Sequence, residues 1–419
     1  MVYASTERID REGSVVAMRM DAESGALTLL NSVAARGRST CYLNLDAARG
    51  VLNAVNYWDA RLAALGVDAA TGALEENAPR CVLQQKRGEY ADAARPGREE
   101  HWAYRQRWAH THCAVTEPYT GLPNLFVCDL GEDQVLHFVQ GARGGLARVG
   151  HAQLPRGVGP RHLVFHPSLR VAYVVNELDS SVSVLDVSES ALRRAAAAAA
   201  DVADAACADG AGAEGQVVVL DSDESDGGSS GSEEGGADAP GGEAACALSI
   251  AQTLSTLPPE WQGRSCIKNG VWKAASHCSE IKVHPSGRFV FVANRGHDSL
   301  AVFAVDPATG GLSPPVFTPS GGATPRNFSF CCGGRFVVVG NQDSNCLCLF
   351  EVDERTGALE LAHSIDCPSP NYVYAVPRAK SADARAAAAA GAGAAAGAPA
   401  REALVAGVSA GVGVAAHAC

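Results

Sequence analysis

The sequence predicts an all-β protein with the β-propeller fold, on three observations. A short phrase of the form Asp-x-x-Thr/Ser-Gly-Ala/Gly-Leu occurs four times, beginning at Asp21, Asp68, Asp306 and Asp353. The first pair and the last pair of copies are each 47 residues apart. Each copy separates two alternating apolar runs, as a turn between two strands does. A fixed period of this length is typical of propeller blades.

The second strand of each repeat is the most regular segment and sets the register of the alignment. Five runs are equivalent: 51–57, 125–129, 171–177, 289–295 and 336–342. We count five complete repeats of four strands and one split repeat. The split repeat has a late strand at 371–375, which we expect to pair with the strands that begin at Met1. Such pairing would close the ring and remove an exposed sheet edge.

Two long stretches interrupt the period. A polar loop at 82–107 connects a fourth strand to the next first strand, and a low-complexity insertion at 188–245 connects a third strand to a fourth. The insertion begins with an alanine run and becomes acidic, and it lacks the apolar residues that would offset the entropy of ordering. We expect this insertion to be disordered. The predicted organisation is a propeller over 1–378 and a disordered Ala/Gly-rich tail over 379–419.

The charge of the chain is concentrated in the insertion. The net charge is −12, and residues 201–245 hold twelve acidic residues and no Lys or Arg. Outside that segment 34 acidic residues balance 34 basic ones. The propeller therefore offers no basic stripe for nucleic acid, and no segment is long and apolar enough to predict a membrane span.

The cysteines favour buried free thiols in a reducing compartment. The 14 cysteines lie mostly in apolar runs, and no Cys-x-x-Cys pairs or His spacings suggest zinc. The N-terminus reads as a strand and not as a secretory signal. We expect a cytoplasmic monomer without a metal or other cofactor.

The propeller geometry predicts where a site would lie. In each blade the start of the first strand and the end of the second strand meet at one rim of the central channel, and the Asp-x-x-Thr-Gly turns lie on the opposite face. The end of the second strand carries different residue types in different blades: Tyr57, Asp129, Glu177, Arg295 and Gln342. The start of the first strand contributes His112, Arg161, His162, Glu280, Arg326 and Asn327. We expect the polar loop to lie over this rim and the acidic insertion to leave from the other face.

The types of residue at the rim suit attack of water on an ester carbonyl of an anionic substrate. A purely structural position should repeat in every blade, as the preceding Asn56, Asn176, Asn294 and Asn341 do. The variable position beside it therefore points to function. Arginines bind phosphate or carboxylate in a forked geometry and can stabilise an oxyanion. A His or a carboxylate can take a proton from water.

Several segments resemble the lactonase family of seven-bladed propellers, which includes propeller-type 6-phosphogluconolactonases and carboxy-muconate lactonizing enzymes. These segments are 157–167, 176–182, 279–289, 294–296 and 324–328. The resemblance covers about residues 1–376 without the insertion. It implies hydrolysis of 6-phosphoglucono-δ-lactone in the oxidative pentose phosphate pathway, with no catalytic metal and a small anionic lactone as the partner. The family has seven blades, whereas six repeats are countable here, so a blade has been lost or the N-terminus is incomplete.

The resemblance also implies roles for individual residues. The His, Arg, Glu and Arg proposed as the site in the lactonizing branch correspond by motif position to His112, Arg161, Glu177 and Arg295. Glu177 or His112 is then the base, and Arg161 and Arg295 bind the anionic group and the carboxylate or oxyanion. Four further residues are expected to bind substrate: His162, Arg326, Glu280 and Asp129. Two alternatives stay open, a lactonizing enzyme or isomerase acting on a non-phosphorylated dicarboxylate, and a non-enzymatic scaffold.

Overall fold

The structure, a computed structural model, is a ring of antiparallel sheets. It describes residues 1–76, 81–85, 105–106, 108–142, 144–208, 217–220, 247–263, 266–268, 271–273 and 275–376. Within these residues six sheets follow one another as blades, and the innermost strands of successive blades are neighbours. The all-β propeller with six blades is therefore confirmed.

The first three blades are built from residues 2–153. Blade 1 consists of β1 (Val2–Ser5), β2 (Ser14–Met20) and β3 (Leu27–Ala34). Blade 2 consists of β4 (Thr40–Asp46), β5 (Val51–Asn56), β6 (Arg61–Gly66) and β7 (Cys81–Gln85). Blade 3 consists of β8 (Thr111–Thr116), β9 (Asn124–Asp129), β10 (Gln134–Gln140) and β11 (Leu146–Gln153).

The last three blades are built from residues 160–366. Blade 4 begins with β12 (Pro160–Phe165), β13 (Val171–Asn176) and β14 (Ser181–Val187). A helix, α1 (Glu189–Ala208), and a strand, β15 (Val217–Leu220), come before its fourth strand, β16 (Leu248–Ser255). A small hairpin, β17 (Cys266–Lys268) and β18 (Val271–Lys273), separates blade 4 from blade 5. Blade 5 consists of β19 (His277–Val283), β20 (Phe289–Arg295), β21 (Ser299–Ala304) and β22 (Val316–Pro319). Blade 6 consists of β23 (Pro325–Cys331), a 3₁₀ turn (Cys332–Gly334), β24 (Phe336–Asn341), β25 (Cys346–Val352) and β26 (Leu359–Asp366).

The second strand of each complete blade is buried along its whole length. Every residue of β5, β9, β13, β20 and β24 is buried. The reason is that neighbouring blades cover both faces of the strand, which explains the continuous apolar runs. Phe291 of β20 packs with Phe328 of blade 6, while Val290 on the other face packs with Tyr173 of blade 4.

The innermost strand of each complete blade carries a β-bulge close to its start. The pairing register shifts between Thr40 and Tyr42, and at the equivalent points of β8, β12, β19 and β23. A bulge inserts one extra residue and re-aims its side chain. The residues at the bulges are Cys41, His112, Arg161, Ser279 with Glu280, and Arg326.

The repeated Asp-x-x-Thr/Ser-Gly phrases form the turns before the last strands of blades 1, 2, 5 and 6: β3, β7, β22 and β26. In blade 5 the Oδ1 atom of Asp306 accepts the backbone N–H groups of Ala308 at 2.8 Å and Thr309 at 3.0 Å. Gly310 has φ of 76°, and a Cβ atom there would lie 2.5 Å from Val171 Cγ2. Both the left-handed backbone and the close approach of blade 4 require glycine.

The insertion within blade 4 corrects the prediction of disorder at 188–245 for its first part. The alanine run forms α1, because alanine has the highest helix propensity and the Ser188 hydroxyl caps the first turn. The buried positions among its described side chains lie on one face: Ala191, Leu192, Ala195, Ala196, Ala199 and Ala203. That face packs on blade 3, where Ala195 and Ala199 form a buried apolar cluster with Val139. β15 then pairs in parallel with β7, so the insertion links blades 4, 3 and 2.

The remaining part of the predicted disorder cannot be compared with the structure. The acidic stretch of the insertion and the tail at 379–419 lie outside the described residues. In the part of the chain that the structure describes, no helix is both long and apolar enough to cross a membrane.

The ring closes between blades 6 and 1. The N–H of Val373 donates to Asn327 Oδ1 at 2.9 Å, and the N–H of Ala375 donates to Ser329 Oγ at 3.3 Å. Residues 371–375 therefore run beside β23, at the place where the sequence predicted closure, although these hydrogen bonds go to blade 6 rather than to β1. An ion pair between Arg326 and Glu7 (3.0 Å) joins the two blades at the rim.

Candidate active site

The rim of the channel holds one buried carboxylate surrounded by three arginines. Glu177 directly follows β13, and its Oε1 atom lies 2.8 Å from Arg105 Nη2 and 3.3 Å from Arg295 Nη2. Its Oε2 atom accepts the Nε–H of Arg161 at 3.0 Å. Arg161 is at the bulge of β12, Arg295 ends β20, and Arg105 comes from the polar loop. Predicted residues from blades 4 and 5 therefore meet at one point.

The arginines keep Glu177 ionised. Burial would raise the pKa of Glu177, but Arg105 and Arg295, the hydrogen bond with His277, and Arg161 hold it well below its usual range. Only 3% of the Glu177 side chain is exposed. A carboxylate held in this way is a weak base, so the geometry argues against Glu177 as the group that activates water.

The cluster carries an excess of positive charge. Among the described residues, three guanidinium groups pair with this one carboxylate, which leaves two positive charges of the cluster uncompensated by it. Burial, with the charges of Arg161, Arg326 and Arg105, lowers the pKa of Arg295 to about 9. Burial alone would lower the pKa of Arg105, yet Glu177 and Tyr57 more than offset it and the net pKa is raised. This arrangement is suited to bind an anion of charge −2.

His162 contacts Arg161, and Glu280 in turn contacts His162. Nη1 of Arg161 lies 3.0 Å from His162 Nε2, and His162 Nδ1 lies 3.0 Å from Glu280 Oε1. Burial lowers the pKa of His162 to about 4, so its imidazole is neutral and Nδ1–H donates to Glu280. Lys282 and His162 offset the burial of Glu280 and lower its pKa to about 2. The contacts of both residues indicate positioning of Arg161, whereas the sequence assigned them to substrate binding.

His112 lies next to the cluster but makes no hydrogen bond to it. Its ring packs edge-on against Tyr57, with centroids 5.5 Å apart, and against His162, with centroids 5.1 Å apart. Burial, together with the charge of Arg161, lowers its pKa well below the usual value. Nδ1 is buried and has no partner among the described residues. His112 is therefore a neutral imidazole in the wall of the site.

Arg326 is at the rim but is already paired. It contacts Glu7 of the first blade at 3.0 Å and lies close enough to Arg295 to affect its pKa. The predicted position of Arg326 at the rim is correct. Its charge, unlike that of the three arginines around Glu177, is balanced by Glu7.

The structure argues against Asp129 as a substrate-binding residue. Asp129 pairs with Thr111 just as Asn56 pairs with Thr40 and Asn176 with Pro160, so it belongs to the repeated Asn position. Its Oδ1 atom accepts the N–H groups of His110, Gly131 and Glu132. The equivalent of Glu177 in blade 3 is Leu130. Asp129 therefore braces a loop, as the asparagines do.

Sequence reasoning missed two residues of the cluster, Arg105 and His277. Arg105 donates to Tyr57 Oη at 2.9 Å and to Glu177, so this residue, near the end of the predicted polar loop, lies at the rim. His277 begins β19 opposite Arg295, and its Nδ1 lies 3.4 Å from Glu177 Oε1. No repeated phrase marks Arg105. His277 could have been found from its place at the start of a first strand.

Comparisons with known proteins agree with this architecture. The family model described as "Lactonase, 7-bladed beta-propeller" matches residues 1–222 and 241–375. A Bacillus subtilis protein named 6-phosphogluconolactonase is 29% identical over 329 residues, which span 78% of this chain and 70% of that protein. The 6-phosphogluconolactonase of Erwinia tasmaniensis is 47% identical over 66 residues, which span 15% of this chain and 20% of that protein.

Comparisons with solved structures also agree with this architecture. The periplasmic gluconolactonase of Pseudomonas aeruginosa has a TM-score of 0.63 at 25% identity, covering 88% of this chain and 82% of that chain. A Lactobacillus plantarum protein has the same TM-score at 23% identity, with coverage of 87% and 82%, and shares the fold. Six blades are present in the described residues, whereas the family description gives seven. The family model covers most of the chain, and the solved structures have the same fold, so this chain belongs to the lactonase family of seven-bladed β-propellers.

Proposed function

We propose that this protein hydrolyses 6-phosphoglucono-δ-lactone to 6-phosphogluconate. The observation that carries the proposal is that three arginines surround the single carboxylate of Glu177, an excess of two positive charges among the described residues of the cluster. A phosphomonoester is close to a dianion at neutral pH, and an arginine fork matches its oxygens. The name of the Bacillus subtilis relative supports the same substrate.

The three arginines have two tasks in this reaction. One part of the cluster binds the phosphate, and another stabilises the negative charge that develops on the lactone carbonyl oxygen. Arg105 is the most exposed of the three, with 29% of its side chain accessible, against 5% for Arg161 and 8% for Arg295. We assign the phosphate to the side of Arg105 and the carbonyl oxygen to the side of Arg161 and Arg295.

The cellular setting is part of the proposal. The reaction would place the protein in the oxidative pentose phosphate pathway, in the cytoplasm. The monomeric state expected from the sequence stays a prediction.

The proposal is tested by turnover of freshly generated 6-phosphogluconolactone above its spontaneous rate. Arg295→Ala is expected to lower kcat/KM by about 100-fold or more, as loss of an oxyanion donor does. Arg105→Ala is expected to reduce kcat/KM for the phosphorylated lactone more than for glucono-δ-lactone. Arg335→Ala removes an exposed arginine that pairs with Glu351 and should change neither value.

Three results would argue against the proposal. Preference for a muconate derivative over the phosphorylated lactone would favour the lactonizing activity. Equal effects of Arg105→Ala on the two sugar lactones would contradict the placement of the phosphate beside Arg105. Absence of turnover of every lactone by the wild-type protein would favour a scaffold.

A further inference from the structure

We propose that His277 is the general base that activates water in this site. The inference rests on the lactonase function proposed above and assigns a catalytic residue to it. Its basis is the contact of His277 with Glu177, its place at the mouth of the cluster and the charges around it.

The backbone places His277 at the mouth of the arginine cluster. His277 is the first residue of β19 and pairs with Arg295, so it lies at the rim, one blade after Glu177. Of its side chain, 30% is exposed, against 3% for Glu177. Solvent can therefore reach the imidazole of His277, beside the arginines proposed to bind the lactone.

The contact with Glu177 sets the tautomer of His277. Nδ1 is 3.4 Å from Glu177 Oε1, and an ionised carboxylate can only accept, so the proton is on Nδ1. Nε2, on the far side of the ring, then carries the lone pair. Glu177 thus orients the imidazole and favours the imidazolium that forms when Nε2 takes a proton, which is the role of the carboxylate in a Ser-His-Asp triad.

The charges around His277 keep it neutral before substrate binds. Burial and the positive charge of Arg295, with a smaller effect of Arg105, lower the pKa of His277 to about 4, against the opposite influence of Glu177. A dianionic substrate neutralises the charges of these arginines. We therefore expect binding to raise the pKa of His277 toward neutrality, where a general base is most effective.

The two bases considered from the sequence fit less well. Glu177 is shared among three arginines and has a strongly lowered pKa. His112 makes no hydrogen bond to Glu177 and is 7% exposed, with its ring against Tyr57 and His162. His277 combines a carboxylate partner with access to solvent.

The reaction balances without another reagent. His277 Nε2 takes a proton from water while the water oxygen bonds to the lactone carbonyl carbon and the π electrons move to the carbonyl oxygen. The bond between that carbon and the ring oxygen then breaks as the oxyanion collapses. The imidazolium returns its proton to the ring oxygen, which becomes a hydroxyl group, and the new carboxylic acid releases its own proton.

The test uses His277→Asn and His277→Ala in the full chain, with His363→Asn on the outer strand β26 as the control. We expect both His277 variants to lower kcat at least 100-fold with KM changed less than threefold, within the range for loss of a general base. The acid limb of the kcat profile should disappear in His277→Asn. Added imidazole should raise the rate of His277→Ala at least tenfold, in proportion to the neutral fraction of the added imidazole. It should not accelerate His363→Asn.

The outcomes separate this inference from the proposed function. An active wild-type protein whose His277→Asn variant is equally active would overturn the role of His277 alone. A slow variant that no longer binds 6-phosphogluconate, or that imidazole does not restore, would indicate a structural role and also overturn it. Absence of lactone turnover by the wild-type protein would overturn both proposals.

Discussion

Replacement of Glu177 by Gln should reveal how strongly the site depends on one buried charge. The side chain keeps its size, but the carboxylate that faces Arg105, Arg161 and Arg295 at 2.8–3.3 Å is lost. Removing one partner of a buried ion pair leaves an uncompensated buried charge and costs about 3–5 kcal/mol. The glutamine oxygen still accepts one hydrogen bond, so we expect the lower end of this range, about 3 kcal/mol.

The assay is urea denaturation at neutral pH, with Glu351→Gln as the matched control. Glu351 pairs with Arg335 at 3.1 Å, but its side chain is 36% exposed, and exposed pairs contribute about 0–1 kcal/mol. The pKa of Glu177 is lowered in the folded state, so its contribution is present above its unfolded pKa and is lost as the pH falls through the folded value. The difference between wild type and Glu177→Gln should therefore be constant near neutrality and shrink in strong acid. Equal losses in Glu177→Gln and Glu351→Gln would refute the reasoning.

Three further predictions concern stability outside the cluster. Burial raises the pKa of Asp129 to about 6 and that of Glu132 to about 7, so the contribution of these two carboxyl groups to the free energy of unfolding is full below pH 4 and is lost as the pH rises toward 7. Asp129→Asn should flatten the pH profile of the unfolding free energy between these limits, and an unchanged slope would contradict this. In His284→Ala the 3.0 Å hydrogen bond between Nε2 and the carbonyl of Gly334 in the next blade is lost. That buried carbonyl is left without its partner, so the unfolding free energy should fall by about 1–3 kcal/mol, and an unchanged midpoint in urea would argue against this. Leu192→Ala on α1 truncates a fully buried side chain and should lower the unfolding free energy by about 2–5 kcal/mol with kcat unaltered. A large loss of kcat in the folded variant would mean that the insertion affects the rim.

The sequence predicted the architecture and the meeting point of the site. The repeated turns and their period are local features, so the number of blades and the strand order follow from them. Arg161, Glu177 and Arg295 were predicted to share a rim because the end of a second strand and the start of a first strand are adjacent in a blade. The structure places all three within hydrogen-bonding or ion-pair distance.

The parts that the sequence missed depend on contacts that no local pattern encodes. Asp129 was misaligned by one residue because blade 3 has Asp where the other blades have Asn. Arg105 reaches Glu177 from a loop of irregular length, so its partner is set by the fold. The alanine run was taken for disorder because its composition is simple, yet a helix with one small, buried face packs well on blade 3.

The β-bulge near the start of the inner strand in each complete blade has a consequence for how this family can diversify. Ladder hydrogen bonds stop and restart around it, so exchange of the side chain at the bulge leaves the neighbouring pairs intact. Histidine, arginine and cysteine already occupy equivalent places in different blades. A circular scaffold of this kind therefore offers one position per complete blade whose side chain can be exchanged. New chemistry can arise by substitution at these positions while the backbone around them stays the same.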